Sequence, residues 1–320
     1  MLLSVVIPLL NEEENIPLLY DELMEVLPPL PGEYEVIFID DGGTDNSLSI
    51  LKEIQEKNSH IVVVTFRKNF GQTAAMAAGF DFAQGDIIIT MDGDLQNDPH
   101  DIPKLLEQIE AGNDVVTGWR YDRKDPFINR RLPSIIANKI ISKITGVNLH
   151  DYGCTLKAFK REVVKNVRLY GEMHRFIPAI ASGMGIDFTE VKVNHRPRRF
   201  GSSKYGISRT IRVVLDLITV KFLLSYATRP IQVFGFLGVI SGGIGFLIAL
   251  VMTIQRQFFH VPLADRPLLF LAVLLIFIGV QFVTLGLMAE LQARTYHESQ
   301  NKPVYYVKNV FGAGEQREGK

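Results

Sequence analysis

Ile87-Ile88-Ile89-Thr90-Met91-Asp92-Gly93-Asp94-Leu95-Gln96 is the stretch on which the fold turns. A nearly continuous apolar run of this length reads as a strand covered on both faces, and this one ends on two carboxylates one residue apart. Similar runs lie on either side, at Leu2–Leu10, Glu35–Asp41, Ile61–Phe66 and Asp114–Trp119. Between them Glu12–Leu27, Asp45–Lys57, Gln72–Ala83 and Pro99–Ala111 carry apolar residues at helical spacing, with Asp45 and Asp98 placed as N-caps. The alternation predicts an α/β, Rossmann-like domain with a parallel sheet between helices, and ligands at the carboxyl ends of its strands.

Three polar clusters occupy those ends: Asn11-Glu12-Glu13, Asp40-Asp41-Gly42 and Asp92-Gly93-Asp94. Asp92 and Asp94 can reach one hard divalent cation bound to a diphosphate, and Gln96 offers a third oxygen. Their bland alternative is turn capping. Asp40 and Asp41 can accept from a base N–H or a ribose hydroxyl, or cap the next helix. Arg120, Arg130, Arg131, Arg199 and Lys204 form a candidate clamp for phosphate, although any one of them alone reads as a solvated charge. Asp151, in the turn-like His150-Asp151-Tyr152-Gly153, is a further candidate acid or base, with a structural turn as the alternative. The polar stretch Tyr121 to Pro133, with Pro126, Pro133 and four basic residues, reads as a loop over the site. His-x-x-His spacing, a Cys cluster, a nucleophile elbow and a Gly-x-x-x-x-Gly-Lys loop are all missing, which argues against zinc, serine-hydrolase and P-loop chemistry.

The 320 residues have a formal net charge of −1 and are 47% hydrophobic, enough for a real core. The charge is unevenly spread: Lys192 to Arg229 holds nine Lys/Arg against the single acid Asp216, as expected of a face meeting an anionic surface or substrate. The lone Cys154 excludes an internal disulfide and fits a reducing compartment. Ile231–Gln255 and Pro267–Ala289 carry no charge, and at about 1.5 Å per residue each can cross a ~30 Å hydrocarbon core. The short, nearly neutral connector between them, against basic flanks that include Arg294, Lys302 and Lys308, places both termini in the cytoplasm. No secretory leader is read at the start of the chain. The expected organisation is a catalytic domain over 1–207, an amphipathic interface helix over 208–229, two spans within 230–290 (about 231–255 and 267–289), and a cytosolic tail over 291–320, disordered beyond Val310.

With these residues assembled, the chain resembles the family 2 glycosyltransferases of the polyisoprenyl-phosphate type, a group that includes dolichol-phosphate mannose synthase and the bacterial undecaprenyl-phosphate glucosyltransferases. The resemblance covers nearly the whole chain. It rests on Val5-Val6-Ile7-Pro8 with Asn11-Glu12, Asp40-Asp41-Gly42-Gly43-Thr44-Asp45, Asn69-Phe70-Gly71-Gln72, Asp92-Gly93-Asp94-Leu95-Gln96 and Arg199-Phe200-Gly201-Ser202-Ser203-Lys204-Tyr205. Gly43 departs from the pattern, where the family usually has Ser. The resemblance implies a GT-A fold and a Mg²⁺ or Mn²⁺ ion held by Asp92, Asp94 and Gln96. It also implies nucleotide contacts from Pro8, Leu10, Glu12, Asp40, Asp92 and Gly93, with Asp94, Asp151 and Arg120 in catalytic roles. Arg120, Arg130, Arg131, Arg199, Ser202 and Lys204 would grip a lipid phosphate.

The implied reaction moves a hexose, glucose as the first choice, from a UDP-sugar to undecaprenyl phosphate with inversion, at the cytoplasmic face of the plasma membrane. The lipid bilayer is then a partner, nucleic acid is not, and a homo-oligomer is compatible. Two rivals stand beside this reading. A processive polysaccharide synthase on the same fold predicts a Gln-x-x-Arg-Trp motif and more spans, whereas the only Trp here is Trp119, inside Gly118-Trp119-Arg120. A non-catalytic nucleotide-sugar-binding scaffold predicts degraded metal and phosphate motifs.

Overall fold

The computed structural model describes residues 1–122, 138–139, 141–142, 145–167, 169, 173–182, 185–197, 199–200, 231–259, 262, 267–299 and 305–312. The chain divides into two compact units, Met1–Val220 with Lys302–Lys320, and Lys221–Asn301.

In the first unit, β1 (Leu2–Leu9), β2 (Glu33–Asp40), β3 (Ile61–Phe66) and β4 (Ile87–Thr90) pair in parallel, with β1 between β2 and β4. Helices α1 (Ile16–Val26), α2 (Ser47–Lys57) and α3 (Gln72–Phe82) connect them. Val5, Ile7, Val36, Phe38, Val63 and Ile89 are fully buried, because a parallel sheet has helices on both faces and can use apolar side chains on either. Past β4 the chain forms α4 (Ile102–Glu110), β5 (Val115–Arg120), β6 (Lys157–Lys160), α5 (Arg161–Asn166), α6 (Ile177–Ser182) and β7 (Phe188–Val193). Asp98 does cap the turn ahead of α4, accepting from His100 N–H at 3.1 Å. Asp45 accepts from Ser47 N–H at 3.0 Å and Glu13 N–H at 3.1 Å.

The sheet order is β7-β5-β6-β4-β1-β2-β3-β8, and it is mixed rather than wholly parallel. β6 runs antiparallel between β4 and β5, while β8 (Val307–Phe311) runs antiparallel on the outer edge of β3. Neither strand is part of the sequence expectation. β6 is four residues with a lysine at each end. β8 falls in the stretch expected as a tail over 291–320, and its residues add the outer strand to the sheet of the first unit.

The second unit contains α7 (Ile231–Phe259) and α8 (Pro267–Ser299), and both helices run past the expected spans, by four and ten residues at their carboxyl ends. Phe234–Phe259 and Pro267–Ala289 are long and apolar enough to cross a membrane. They touch through small residues, since a Cβ on Gly238 would come within 2.7 Å of the Gly279 carbonyl, and Ser241 Oγ donates to Leu275 O at 2.9 Å. Outward, Phe236, Phe246, Phe270 and Phe277 are exposed. Small residues inside with large apolar ones outside is the pattern of helices packed in lipid, where close backbone approach replaces the hydrophobic drive. The proposed interface helix over 208–229 and most of the loop from Tyr121 to Pro133 lie outside the described residues.

Candidate active site

Strand register gathers the acidic turns. Leu9 pairs with Asp40 across β1 and β2, and Val6 with Thr90 across β1 and β4, so the segments after the three strands emerge along one edge. Leu10 and Glu12 belong to the first of them, and Pro8 lies just before it, near the end of β1. Asn11 and Leu95 both adopt left-handed backbone, φ 54° and 61°, which costs of order 1–3 kcal/mol at a non-glycine residue and recurs at ligand sites. Gly93 sits between the two aspartates with no room for a side chain, because a Cβ there would collide with Leu9. The turn is therefore pressed onto β1 with one carboxylate on each side.

Asp92 accepts from Gln72 Nε2 at 2.7 Å, and its N–H donates to Asn97 Oδ1 at 2.9 Å. Asp94 is buried and accepts the Gln96 N–H at 3.1 Å. Burial, and then the charge of Asp94, push the Asp92 carboxyl up to about 6, against the pull of Thr155, Arg120 and Lys157. Two carboxylates held together against this cost, with an amide oxygen two residues on, match a hard divalent cation such as Mg²⁺ or Mn²⁺, and Asp92, Asp94 and Gln96 are the residues that would hold it. Another convergent set, Glu22, Asp98 and His100, is spoken for: Arg196 reaches Glu22 and Asp98 at 2.7 Å each.

A raised acid binds a proton that a cation must displace, so Mn²⁺ affinity is expected to rise with pH through about 6 and level off above it. Electron paramagnetic resonance titrations of Mn²⁺ between pH 5 and pH 8 read this directly. Affinity independent of pH over that interval would remove Asp92 from the ligand set.

Asp40 and Asp41 do not cap the following helix. Asp40 accepts the Gly43 N–H at 2.9 Å, and Asp41 accepts the Phe70 and Gly71 N–H groups at 2.7 and 2.9 Å. Burial raises both carboxyls and those N–H groups oppose it. Gly43, the departure from the family pattern, lies so close that a Cβ would stand 2.8 Å from Asp40 Oδ1, so a Ser here would require Asp40 to shift.

Half-buried Arg120 and buried Asp151 form one unit at the end of β5. Arg120 Nε donates to Asp151 Oδ2 at 2.7 Å and Nη2 to Oδ1 at 2.9 Å, while Gly153 N–H adds 3.1 Å to the same carboxylate. Burial alone would lower the guanidinium, but the hydrogen bonds and charge of Asp151 outweigh it and hold Arg120 above its ordinary range. A carboxylate gripped on both oxygens is an orienting group; of the five N–H donors on an arginine fork, two are engaged by Asp151, and a planar fork of this kind suits an anion.

Sequence reasoning missed three neighbours. Lys157, 2% exposed on β6, pairs with Thr90 and Thr117 and donates to Tyr152 O at 3.4 Å. Burial pulls it down to about 8. Thr155 Oγ1 joins Asn97 Oδ1 at 3.0 Å, directly behind Asp92. His174 is buried with Nδ1 at 2.7 Å from Thr73 Oγ1, next to Gln72 in sequence, and Arg175 Nε donates to its other nitrogen at 3.4 Å. Burial keeps His174 well below its ordinary value. A lysine inside the apolar alternation Leu156-Lys157-Ala158-Phe159 was the one available signal. Cys154 is buried and inert, its thiol pushed up to about 11 by burial. Arg199 is exposed, whereas Arg130, Arg131, Ser202 and Lys204 lie outside the described residues.

Comparison with known proteins adds the following. The sequence model of glycosyl transferase family 2 matches residues 4–168. A dodecaprenyl-phosphate galacturonate synthase of Rhizobium johnstonii is 43% identical over 97% of this chain and 93% of its own length. An undecaprenyl-phosphate 4-deoxy-4-formamido-L-arabinose transferase of Photorhabdus laumondii is 38% identical over 97% of this chain and 94% of its own. Among solved structures, glucosyl-3-phosphoglycerate synthase from Mycobacterium tuberculosis, in complex with Mn²⁺ and UDP-glucose, superposes with a TM-score of 0.53 at 19% identity, over 69% of this chain and 78% of that one. That likeness is one of fold.

Proposed function

The chain belongs to glycosyl transferase family 2, and from that premise we propose that it transfers a sugar from a nucleotide-sugar to a polyisoprenyl phosphate, with inversion at the anomeric carbon. The observation that carries the proposal is the Asp92-Gly93-Asp94 turn, held beside half-buried Arg120 and buried Lys157, in a chain alike to polyprenyl-phosphate sugar transferases over 97% of its length. We place the catalytic domain and both termini on the cytoplasmic side of the plasma membrane, on the charge asymmetry around the two long helices. The donor is proposed as a UDP-hexose. Glucose remains the first choice from the sequence, and galacturonate joins it because the 43% identical relative is named for that sugar.

In the proposed displacement a phosphate oxygen of the lipid attacks the anomeric carbon and the nucleoside diphosphate leaves. A phosphate monoester has its second pKa near ~6, so the nucleophile is already ionised at neutral pH and a strong base is not required. A divalent cation bound by Asp92, Asp94 and Gln96 would supply charge neutralisation at the departing diphosphate. The protein's own groups do the rest. Asp40 and Asp41 orient the nucleoside edge, Asp151 fixes Arg120 toward the anionic acceptor, and Lys157 keeps the floor of the site positive behind Asp92.

The test is transfer of radiolabelled sugar from UDP-glucose, UDP-galacturonate and a GDP-hexose to undecaprenyl phosphate by purified protein in detergent, with Mn²⁺ or with EDTA. The expected result is a metal-dependent, organic-soluble glycolipid from one donor. Nucleotide binding without lipid product would replace the enzyme by a binding scaffold.

A further inference from the structure

β8 follows the second membrane-length helix in sequence, yet the two residues that lead into it, Tyr305 and Tyr306, pack against the end of β3 and the segment after it. The ring of Tyr305 stacks on Phe66 at 5.2 Å, and its hydroxyl donates to Asp81 Oδ2 on α3 at 2.7 Å. The Tyr306 carbonyl accepts from Arg67 N–H at 3.1 Å, and its ring lies 5.9 Å from that of Phe70. Phe70 in turn meets Phe66 edge-on at 5.7 Å. A register shift between Thr65 and Phe66 turns the end of β3 so that it can reach this segment.

The segment being covered is Phe70-Gly71-Gln72. Its first two N–H groups go to Asp41, and the Gln72 amide goes to Asp92. Three consecutive residues thus tie the end of β2 to the end of β4, the two elements read here as nucleotide-binding and cation-binding. On its outer side, among the described residues, stands the Phe66–Phe70–Tyr305–Tyr306 cluster, together with Lys68 Nζ 5.2 Å over the Phe70 ring. Further along the strand, the charge of Lys308 reaches Asp40 and offsets part of its burial.

We infer that Tyr305 and Tyr306 are positioning residues, a brace supplied by the strand beyond the membrane-length helices, which holds the 69–72 segment so that Asp41 and Asp92 stand at the separation a cation-bound nucleoside diphosphate needs. The inference rests on the reading of this edge as the nucleotide site. Tyr306 is 68% exposed, so little of its area is buried against a core; what its ring supplies is contact with Phe70.

The test uses the full chain in detergent and compares Tyr306→Ala, Tyr306→Phe and Phe311→Ala. Phe311 lies at the far end of β8 under the Lys52 ammonium, 4.4 Å away, so its loss weakens the strand without touching the brace. An aromatic pair of this kind predicts that Tyr306→Ala raises the Mn²⁺–UDP dissociation constant and the donor KM by about three- to tenfold, with kcat little changed. Tyr306→Phe should restore both, and Phe311→Ala should lower the melting temperature while leaving both as in wild type. Unchanged binding in Tyr306→Ala, or binding losses in all variants that merely track melting temperature, would overturn the brace. If wild-type protein itself bound no nucleotide, the nucleotide reading would fall and the brace with it; wild-type binding that Tyr306→Ala leaves intact sinks the brace alone.

Discussion

Asp94→Asn is expected to abolish turnover while leaving the metal-free protein at least as stable as wild type. A bound cation contributes several kcal/mol of charge stabilisation to a leaving diphosphate, and about 4 kcal/mol corresponds to ~10³ in rate, so a loss of about 10³-fold or more in kcat is the prediction. Stability should move the other way. Asp94's negative charge is one of the two causes that raise Asp92, and Asn removes it while its side-chain oxygen can still accept the Gln96 N–H. Lipid-product assays with melting curves in EDTA and in Mn²⁺ separate the effects: wild type gains melting temperature from Mn²⁺ and Asp94→Asn does not. Wild-type turnover in the variant would end the metal assignment.

Asp151→Asn is expected to be costly for a different reason. The substitution leaves the half-buried Arg120 without its counter-charge; with its side chain 17% exposed, the cost is expected at the low end for a broken buried pair, about 3 kcal/mol of stability. It also frees the guanidinium to rotate, and a reacting group misplaced by an ångström loses about a hundredfold in rate. The pH profile tells orientation from base catalysis. If Asp151 only orients Arg120, the acidic limb of kcat/KM, set by the second ionisation of the acceptor phosphate near ~6, persists in the variant at reduced height. If Asp151 takes a proton, the wild-type limb carries its ionisation beside that of the phosphate and is steeper, and the variant keeps only the phosphate's. Arg120→Gln should show the same retained limb, and the double variant should be little worse than either single one, because the two side chains act as one unit.

The first half of the catalytic domain was legible because its physics is local. Buried parallel strands must be apolar on both faces, so Val5–Ile7, Val36–Ile39 and Ile87–Ile89 announce themselves, and the acids that end them stand out against that background. Asp92 and Asp94 could be read as a pair because they are two residues apart. Asp151 and Arg120 are 31 residues apart, and nothing in either neighbourhood says that one holds the other. Lys157 was hidden by its own surroundings: a lysine in a four-residue strand looks like a solvated edge until β4 and β5 are known to flank it. His174 has no sequence signal, since its role as partner of Thr73 depends on a contact across 101 residues. β8 is not foreseen from sequence because a short strand of Val307-Lys308-Asn309-Val310-Phe311 gains its meaning from the free edge of β3, which lies far back in the chain.

That last strand also sets a timetable. Synthesis runs from β1 to β7 before either long helix is made, and β8 follows both. The edge of β3 stands bare while everything from Arg67 to Tyr306 is translated, on the order of tens of seconds at about 5–20 residues per second. An uncapped edge is a template for other strands, so the nascent domain passes through a vulnerable interval that ends only when the membrane-length helices have emerged and the strand behind them can dock. A chain truncated or stalled before Val307 would keep all its site acids and still present an open sheet.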